Sequence, residues 1–292
     1  MALTAKQLEM RRTGIGGSEC GIVAGLAPEH WDTDALDVYL GKVQERPRKE
    51  SEGMWLGSAM EPILAERYRL DHPGVQVRRN GRTFQHKKHK WMLATPDGFA
   101  VPQDGERYGL EFKVVLSYDE SKMWGESGDE VPHVYLCQVQ WYMEVLGLDR
   151  WDFQAFVAPF RQNRFRVYTI ERSQALIDKL IELCGAFWHE NIVKRTPPEP
   201  SGKNASRAAL QALYEQDNGI EMPADMEMLD IGDTLIGADD SLRAAKADVE
   251  LLQQRLKARM GDVTKVVGDG WNATWRTDKR GRRNFRFIPK GG

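Results

Sequence analysis

Apolar positions recur at helical spacing in three long stretches within the first two thirds of this 292-residue chain, and short apolar runs lie between them. The helical spacing predicts helices over 54–70, 132–146 and 173–193. The short runs are rich in β-branched and aromatic residues and predict strands over 109–116, 151–158 and 164–170. Pro96 and Gly98 flank Asp97 before the first strand, which indicates a tight turn there.

The last third of the chain has a different pattern. A Pro-rich stretch at 196–202 predicts a linker, and residues 208–242 contain nine acids and no base. Apolar spacing then predicts a helix over 242–260, followed by a hairpin over 264–277. We therefore predict a core domain at 1–195, a linker at 196–241 and an accessory module at 242–292. The basic residues of this module predict either a DNA-binding element or a solvated tail, and the pattern leaves both open. They are Arg276, Lys279, Arg280, Arg282, Arg283 and Arg286.

Composition describes an ordinary globular protein, with 41% hydrophobic and 29% charged residues. The formal net charge of −2 gives no overall nucleic-acid signature, so any DNA contact must use local patches. The three cysteines lack the spacing of a metal site. Because no signal peptide or membrane-spanning run is visible, we expect a cytoplasmic protein without membrane contact.

Candidate chemistry is concentrated between residues 95 and 113. Asp97 lies in the predicted turn, while Glu111 and Lys113 lie two apart on the predicted strand and so face the same side. Mg²⁺ is commonly bound by one or two carboxylates together with water and phosphate. The pattern favours metal-assisted hydrolysis, in which Lys113 orients or deprotonates water or steadies developing charge. The alternative is a Glu–Lys pair that is merely exposed to solvent, because short motifs often match by chance.

Three other sites have functional and purely structural interpretations. Two arginines precede a Gly-rich loop, and Ser18 is predicted to cap the helix after it. This pattern favours either a phosphate pocket or a flexible turn. Glu61 is predicted in a first helical turn, as a metal ligand or as a partner of the helix dipole. The basic stretch 75–90 predicts either a nucleic-acid surface or a hairpin whose edge is protected by charge.

Five motifs occur in an order that resembles the YqaJ-like viral recombinases. They are GIGGSE at 14–19, GSAMEP at 57–62, TPDG at 95–98, LEFK at 110–113 and QVQWYM at 138–143. The resemblance covers roughly residues 10–170 and extends to the phage lambda exonuclease family within the PD-(D/E)xK nuclease superfamily. It implies an α/β fold with a mixed central sheet flanked by helices.

The resemblance also implies roles for individual residues. Four residues are implied in catalysis: Glu61, Asp97, Glu111 and Lys113. Asp97, Glu111 and the main-chain carbonyl of Phe112 are implied to bind Mg²⁺, and Glu61 to hold a second ion or its water. The residues implied to bind DNA or a 5′-phosphate are Arg11 or Arg12, Ser18, Gln138 and Tyr142.

The implied function is a Mg²⁺-dependent 5′→3′ exonuclease of linear double-stranded DNA, in which Mn²⁺ can substitute. Its 3′ single-stranded tails would serve a phage annealing protein in recombination. The resemblance further implies a phage or prophage protein in a bacterial host and a homo-oligomer, a ring-shaped trimer. Two alternatives remain: an endonuclease of the same fold, as in restriction or CRISPR systems, and a catalytically silent DNA-binding protein.

Overall fold

The computed structural model describes residues 5–44, 51–125 and 130–290, with side chains from residue 9 onward. The chain divides into two compact units, Met1–Gln216 and Asp217–Gly292. No helix in the described ranges is long and apolar enough to cross a membrane.

In the described part of the first unit, a five-stranded mixed sheet has the order β2-β5-β6-β7-β8. The central pair β6 and β7 is parallel, and every other pairing is antiparallel. This confirms the predicted strands and the mixed α/β class. The strands are β2 (Val75–Arg79), β5 (Gly98–Pro102), β6 (Tyr108–Val115), β7 (Arg150–Val157) and β8 (Phe165–Glu171).

A small second sheet carries the N-terminal Gly-rich loop. It has the order β1-β4-β3, where β1 is Ile15–Gly16, β3 is Phe84–Gln85 and β4 is Met92–Ala94. The Ile15 amide donates to the Trp91 carbonyl at 2.7 Å. Because β4 runs directly into the turn of Asp97, this pairing fixes the Gly-rich loop beside that turn.

Helices cover both faces of the central sheet. Leu64 and Tyr68 of α4 pack in one apolar cluster with Leu110 and Phe112 of β6. Trp141 of α6 belongs to a larger cluster on the other face. Alternate residues of a strand face opposite sides, so Glu111 and Lys113 face α6. The helices of this unit are α1 (Ala5–Arg12), α2 (Gly17–Val23), α3 (Ala35–Val43), α4 (Glu52–Asp71), α5 (Tyr118–Ser121), α6 (His133–Leu146), α7 (Gln174–Ala186, continued by a π-helical turn at Phe187–Val193) and α8 (Asn204–Leu213).

The predicted linker at 196–241 differs from the structure at both of its ends. Helix α8 packs on α3 in the first unit, where the Ser206 hydroxyl donates to the Asp34 carboxylate at 2.6 Å. Ala209 is fully buried there, so residues 204–213 belong to the core rather than to a linker. The helix predicted from 242 begins at Met226 instead, because the Asp225 carboxylate caps it by accepting from the Met228 amide.

The second unit contains this long helix, α9 (Met226–Met260), and a small antiparallel sheet. The predicted hairpin is present as β9 (Lys265–Gly268) and β10 (Trp271–Thr277). The basic stretch after it forms a third strand, β11 (Arg283–Pro289), paired with β10. Its apolar residues Phe285 and Phe287 alternate with arginine and asparagine, which is a strand pattern that the charge obscures.

Candidate active site

The position of Asp97 is fixed where strands β5 and β6 stop pairing. Their register ends at Gly98 opposite Leu110, which leaves the Phe112 amide without a β5 partner. That amide donates to Asp97 Oδ2 at 2.8 Å. Gly98 is required at this point, since a Cβ there would lie 2.9 Å from the Arg78 carbonyl oxygen of β2. The turn predicted from Pro96 and Gly98 thus aims the Asp97 carboxylate at the middle of β6.

Glu111 and Lys113 lie on one face of β6, as the alternation predicted. Glu111 is only 4% exposed. Its Oε1 accepts from Lys113 Nζ at 3.1 Å and from Gln138 Nε2 at 2.5 Å. Its Oε2 is buried and has no hydrogen-bond partner among the described residues. A buried, unsatisfied carboxylate oxygen is costly, so this atom is suited to a bound cation.

The electrostatics of the two carboxylates favour the same conclusion. Burial raises the pKa of Asp97 well above its ordinary value, and the neighbouring charge of Glu111 raises that pKa further. Burial also raises the pKa of Glu111, although Lys113 opposes the shift. Two buried carboxylates in proximity disfavour each other's charged form. A divalent cation between them would stabilise both charges.

The donor set matches a hard cation with a partly open coordination shell. Within a strand the N–H and C=O of one residue point to the same side, so the Phe112 carbonyl faces the Asp97 side as its amide does. No three His, Cys, Asp or Glu residues in the described ranges form a ready metal cage. Two carboxylates and one carbonyl are what Mg²⁺ takes when waters and substrate phosphates complete its shell. The residues present therefore fit this ion.

Glu61 lies in the middle of α4, not in its first turn as predicted, and Pro62 is inside the helix. The helix extends upstream to Ser51, whose hydroxyl caps it. Glu61 Oε2 accepts from Arg79 Nη2 at 2.9 Å. Its charge adds to the raised pKa of Asp97, after the larger effects of burial and of Glu111.

Gln138 and Tyr142, predicted as DNA-contacting residues, are each only 4% exposed. Gln138 contacts both Glu111 and Lys113, the latter with Oε1 at 3.2 Å from Nζ. The Tyr142 hydroxyl accepts from Gln138 Nε2 and donates to the Thr95 carbonyl, both at 3.2 Å. Their predicted proximity on α6 is confirmed. Both are buried, and Gln138 holds Glu111 and Lys113 in place while Tyr142 holds Gln138.

At the N-terminus, Arg11 Nη2 donates to Ser18 Oγ at 2.8 Å. The predicted cap of α2 is corrected: Gly16, not Ser18, is the N-cap residue. Glu19 accepts from the Gly16 amide at 2.8 Å, which satisfies the helix start and leaves Ser18 in the first turn. Of the two candidate arginines, Arg11 is the one that the structure brings to Ser18, while Arg12 lines the same cleft.

Lys42 and Glu19 are functional candidates that sequence reasoning missed. The Lys42 side chain is 3% exposed, and its Nζ lies 2.7 Å from Glu19 Oε2. It also donates to the Arg11 carbonyl at 2.6 Å. Burial alone would raise the pKa of Glu19, but Lys42 and then Arg11 lower it below its ordinary value. The spacing of Gly16 and Glu19 is typical of a capped helix start and could have identified Glu19 from the sequence, whereas nothing in the sequence indicates the role of Lys42.

An open cleft of 1740 Å³ connects the Arg11 region with Phe112 and Lys113, which follow Glu111 on β6. Arg11, Arg12 and Ser18 line it together with Phe112 and Lys113. Behind the cleft, α2 and α6 approach so closely that a Cβ at Gly17 would lie 2.4 Å from the Tyr142 ring. A substrate in this cleft can thus touch the Arg11 region and the β6 region at once.

Comparisons with known proteins agree with this architecture. Residues 6–149 match the model of the YqaJ-like viral recombinase domain. The uncharacterized protein YqaJ of Bacillus subtilis (strain 168) is 28% identical over 272 residues, which covers 91% of this chain and 81% of that protein. The alkaline exonuclease LHK-Exo of Laribacter hongkongensis is 19% identical, with a TM-score of 0.53. The match covers 73% of this chain and 100% of the exonuclease chain.

The same exonuclease in complex with dAMP gives a TM-score of 0.54 at the same identity and coverage. At such low identity the likeness shows the fold, and it confirms the predicted α/β fold with a mixed central sheet flanked by helices. The residues that match the family model contain all five quoted motifs. The resemblance predicted from the motifs is thereby confirmed, and residues 6–149 of this chain are similar to the YqaJ-like viral recombinase domain.

Proposed function

We propose that this chain is a Mg²⁺-dependent exonuclease that degrades linear double-stranded DNA in the 5′→3′ direction. The observation that carries the proposal is the buried pair Asp97 and Glu111, with Glu111 Oε2 left without a partner among the described residues. The alkaline exonuclease structures on the same fold support a DNA-hydrolysing activity.

In the proposed reaction, Asp97, Glu111 and the Phe112 carbonyl would hold the metal ion. When bound, the ion would supply a more acidic water and would neutralise charge on the phosphate. Lys113 lies over the Tyr135 ring, with Nζ 4.5 Å from the ring centroid, and borders the cleft. From there it orients the attacking water or stabilises developing negative charge. Gln138 holds both Glu111 and Lys113, so their spacing is set before substrate arrives.

The proposed direction of degradation depends on the residues at the other end of the cleft. Arg11 and Ser18 present a guanidinium and a hydroxyl, which suit a terminal phosphate. Lys42 neutralises Glu19, which leaves Arg11 less compensated by that carboxylate. A 5′-phosphate bound there would place the adjoining phosphodiester toward Lys113. The enzyme would then move along the strand that ends in that phosphate and leave 3′ single-stranded tails.

The proposal extends to partners by family resemblance. Single-stranded 3′ tails are the substrate of a single-strand annealing protein, so we expect such a protein to act with this chain. A ring-shaped homotrimer and Mn²⁺ in place of Mg²⁺ are part of the same proposal, as is a cytoplasmic site of action. Co-purification with the annealing protein tests the partner separately from catalysis.

One assay tests the central proposal. Purified protein is incubated with linear duplex that carries 5′-phosphate or 5′-hydroxyl ends, and with closed circular duplex. Each substrate is tested with Mg²⁺, Mn²⁺ or EDTA. We expect loss of the 5′-phosphorylated linear strand, slower loss of the 5′-hydroxyl form, intact circles and no reaction in EDTA. Efficient nicking of circles would support the endonuclease alternative, and a metal-independent reaction would overturn the site assignment.

A further inference from the structure

Helix α9 carries an apolar seam that is exposed in the protomer. Six large side chains of this seam have exposed fractions between 49% and 61%. Such side chains are normally buried, and contiguous exposed ones mark interaction surfaces. The six residues are Met228, Ile231, Leu235, Leu242, Val249 and Leu252.

The spacing of this seam is that of a coiled coil. Apolar residues alternate at three- and four-residue intervals along the helix, a seven-residue repeat that keeps one stripe facing a partner helix. The first position of the repeat is occupied by Met228, Leu235, Leu242, Val249 and Leu256. The fourth position is occupied by Ile231, Ala238, Ala245 and Leu252. A repeat sustained over this length predicts pairing with another helix rather than packing against a sheet.

Charge along α9 is divided between its two halves. Residues 226–241 contain five acids and no base, whereas residues 242–260 contain five bases and two acids. A parallel pair of these helices would place acid beside acid. An antiparallel pair would place the acidic half of each helix against the basic half of the other.

The apolar layers are also self-complementary in the antiparallel orientation. When one helix is reversed, each first position faces a fourth position, and the two alanines then face larger residues. In a parallel pair, Ala238 and Ala245 would each face themselves and leave thin layers. The antiparallel layers are Ile231 with Leu256, Leu235 with Leu252, Ala238 with Val249, and Leu242 with Ala245.

We propose that α9 of two copies of this chain pair as an antiparallel coiled coil. Asp239 and Lys246 flank the seam, and reversal of one helix brings each beside the other on the opposite copy. Gly232 and Gly237 lower the intrinsic stability of the exposed acidic half, so a paired partner would stabilise that half as a helix. This inference concerns the second unit and stands independently of the proposed nuclease activity. A two-fold pair cannot satisfy all three copies of the proposed ring, so it would join copies that belong to two different rings.

Directed disulfide formation tests the orientation in the full chain. Differently tagged Ala238→Cys and Val249→Cys proteins are mixed and mildly oxidised, then separated on a denaturing gel. The native cysteines are buried, which limits background. We expect a mixed dimer between the two variants to predominate, and no mixed dimer when Ala247→Cys on the outer face replaces Val249→Cys. Predominance of the Ala238→Cys homodimer would overturn the orientation.

Charge reversal and mass measurement provide the second arm. Asp239→Lys should weaken self-association roughly tenfold by creating like-charge pairs, and adding Lys246→Asp should restore it. Asp233→Lys, on the outer face, makes the same charge change and should have no effect. Leu235→Asp should lower the assembly mass measured by light scattering, and the variant should fold because Leu235 is 61% exposed. An unchanged mass in Leu235→Asp, together with no cross-link, would show that α9 binds no second copy.

Discussion

The region around Asp97 and Glu111 and helix α9 depart from ordinary burial in opposite directions. On β6, a carboxylate is inside the protein, because Glu111 is 4% exposed. Along α9, apolar groups are outside: Leu235 is 61% exposed. Buried charged groups and exposed apolar side chains both cost free energy in the isolated protomer. The two proposals account for these departures by binding, of a cation between Asp97 and Glu111 and of a second copy along α9.

The two regions also differ in how tightly their side chains are held. Glu111 contacts Lys113 and Gln138, and Gln138 in turn contacts Tyr142, so one residue is positioned by several others. The seam of α9 is regular, and its register is set by periodicity alone. Changes near β6 should therefore affect catalysis without changing assembly, and changes on α9 should do the reverse.

The largest effect is expected from Glu111→Gln. The change removes a ligand charge without changing volume, and metal stabilisation of the transition state is worth several kcal/mol. Each 1.4 kcal/mol added to the activation free energy slows a reaction about tenfold, so we expect turnover to fall roughly thousandfold or more. DNA binding should persist. The matched control is Glu106→Gln, in the exposed loop between β5 and β6, which should keep full activity.

Thermal unfolding gives a second readout of the same variant. Burial disfavours the charged Glu111 in the folded protein, so Glu111→Gln without metal should melt at or above the temperature of the parent protein. Mg²⁺ should raise the melting temperature of the parent but not of the variant. Near-normal turnover of Glu111→Gln would show that the metal site lies elsewhere.

Next in size is the contrast between two buried glutamines on α6. Gln138 holds Glu111 and Lys113, whereas Gln140 accepts from the Ser173 amide and donates to the Glu171 carbonyl. A hydrogen bond to a charged group is worth about 1.5–3 kcal/mol, so Gln138→Ala should lower kcat roughly ten- to hundredfold. Its KM for DNA should change little, and more Mg²⁺ should be needed for half-maximal rate.

Gln140→Ala should show the opposite behaviour. It removes contacts that join α6 to the start of α7, and it should lower stability by about 1–3 kcal/mol while kcat remains near normal. Kinetics and melting of both variants distinguish the two roles. If both glutamines affect only stability, Gln138 does not position the metal site.

A smaller effect is expected at Arg11. Its guanidinium is partly exposed, so solvent screening weakens the contact that it makes with a phosphate. Arg11→Ala should slow degradation of 5′-phosphorylated duplex roughly tenfold and leave the 5′-hydroxyl rate nearly unchanged. Competition between the two substrates in one reaction measures the ratio directly. An equal loss on both substrates would assign Arg11 a structural role rather than recognition of the end.

Truncation separates the two units. Ending the chain after Gln216 should leave a stable domain, whereas ending it after Pro200 removes α8 and exposes the site where Ala209 is fully buried. The shorter form also leaves Asp34 without two hydroxyl donors, Ser201 and Ser206. We expect it to melt several degrees lower, at roughly 2–4 °C per kcal/mol lost. The 1–216 form should bind duplex with a shallower salt dependence if the basic residues of the second unit contact phosphates.

The sequence predicted the active strand and the Asp97 turn because each depends on local chemistry: alternation for Glu111 and Lys113, and Pro and Gly around Asp97. It also predicted that Gln138 and Tyr142 are neighbours, since four residues make one helical turn. Their burial was not predictable, because it depends on α6 covering the face of β6. Lys42 and Asp34 were missed for a similar reason, since their partners lie in distant segments that only the fold brings together.

The smallest effect expected is the pH dependence that Asp34 confers on docking of α8. Burial alone would raise the pKa of Asp34, but hydrogen bonds from Ser201 and Ser206 lower it below its ordinary value. A carboxyl with a lowered pKa in the folded state contributes stability above its unfolded pKa, and that stability is lost as the pH falls. Melting temperature should thus drop between about pH 5 and 3 in the parent protein and drop less in Asp34→Asn. The variant should be less stable at pH 7, because an amide nitrogen cannot accept the hydrogen bonds that both hydroxyls donate to the carboxylate. If the two proteins show the same pH profile, the Asp34 charge does not hold α8, and the boundary of the first unit depends on apolar packing alone.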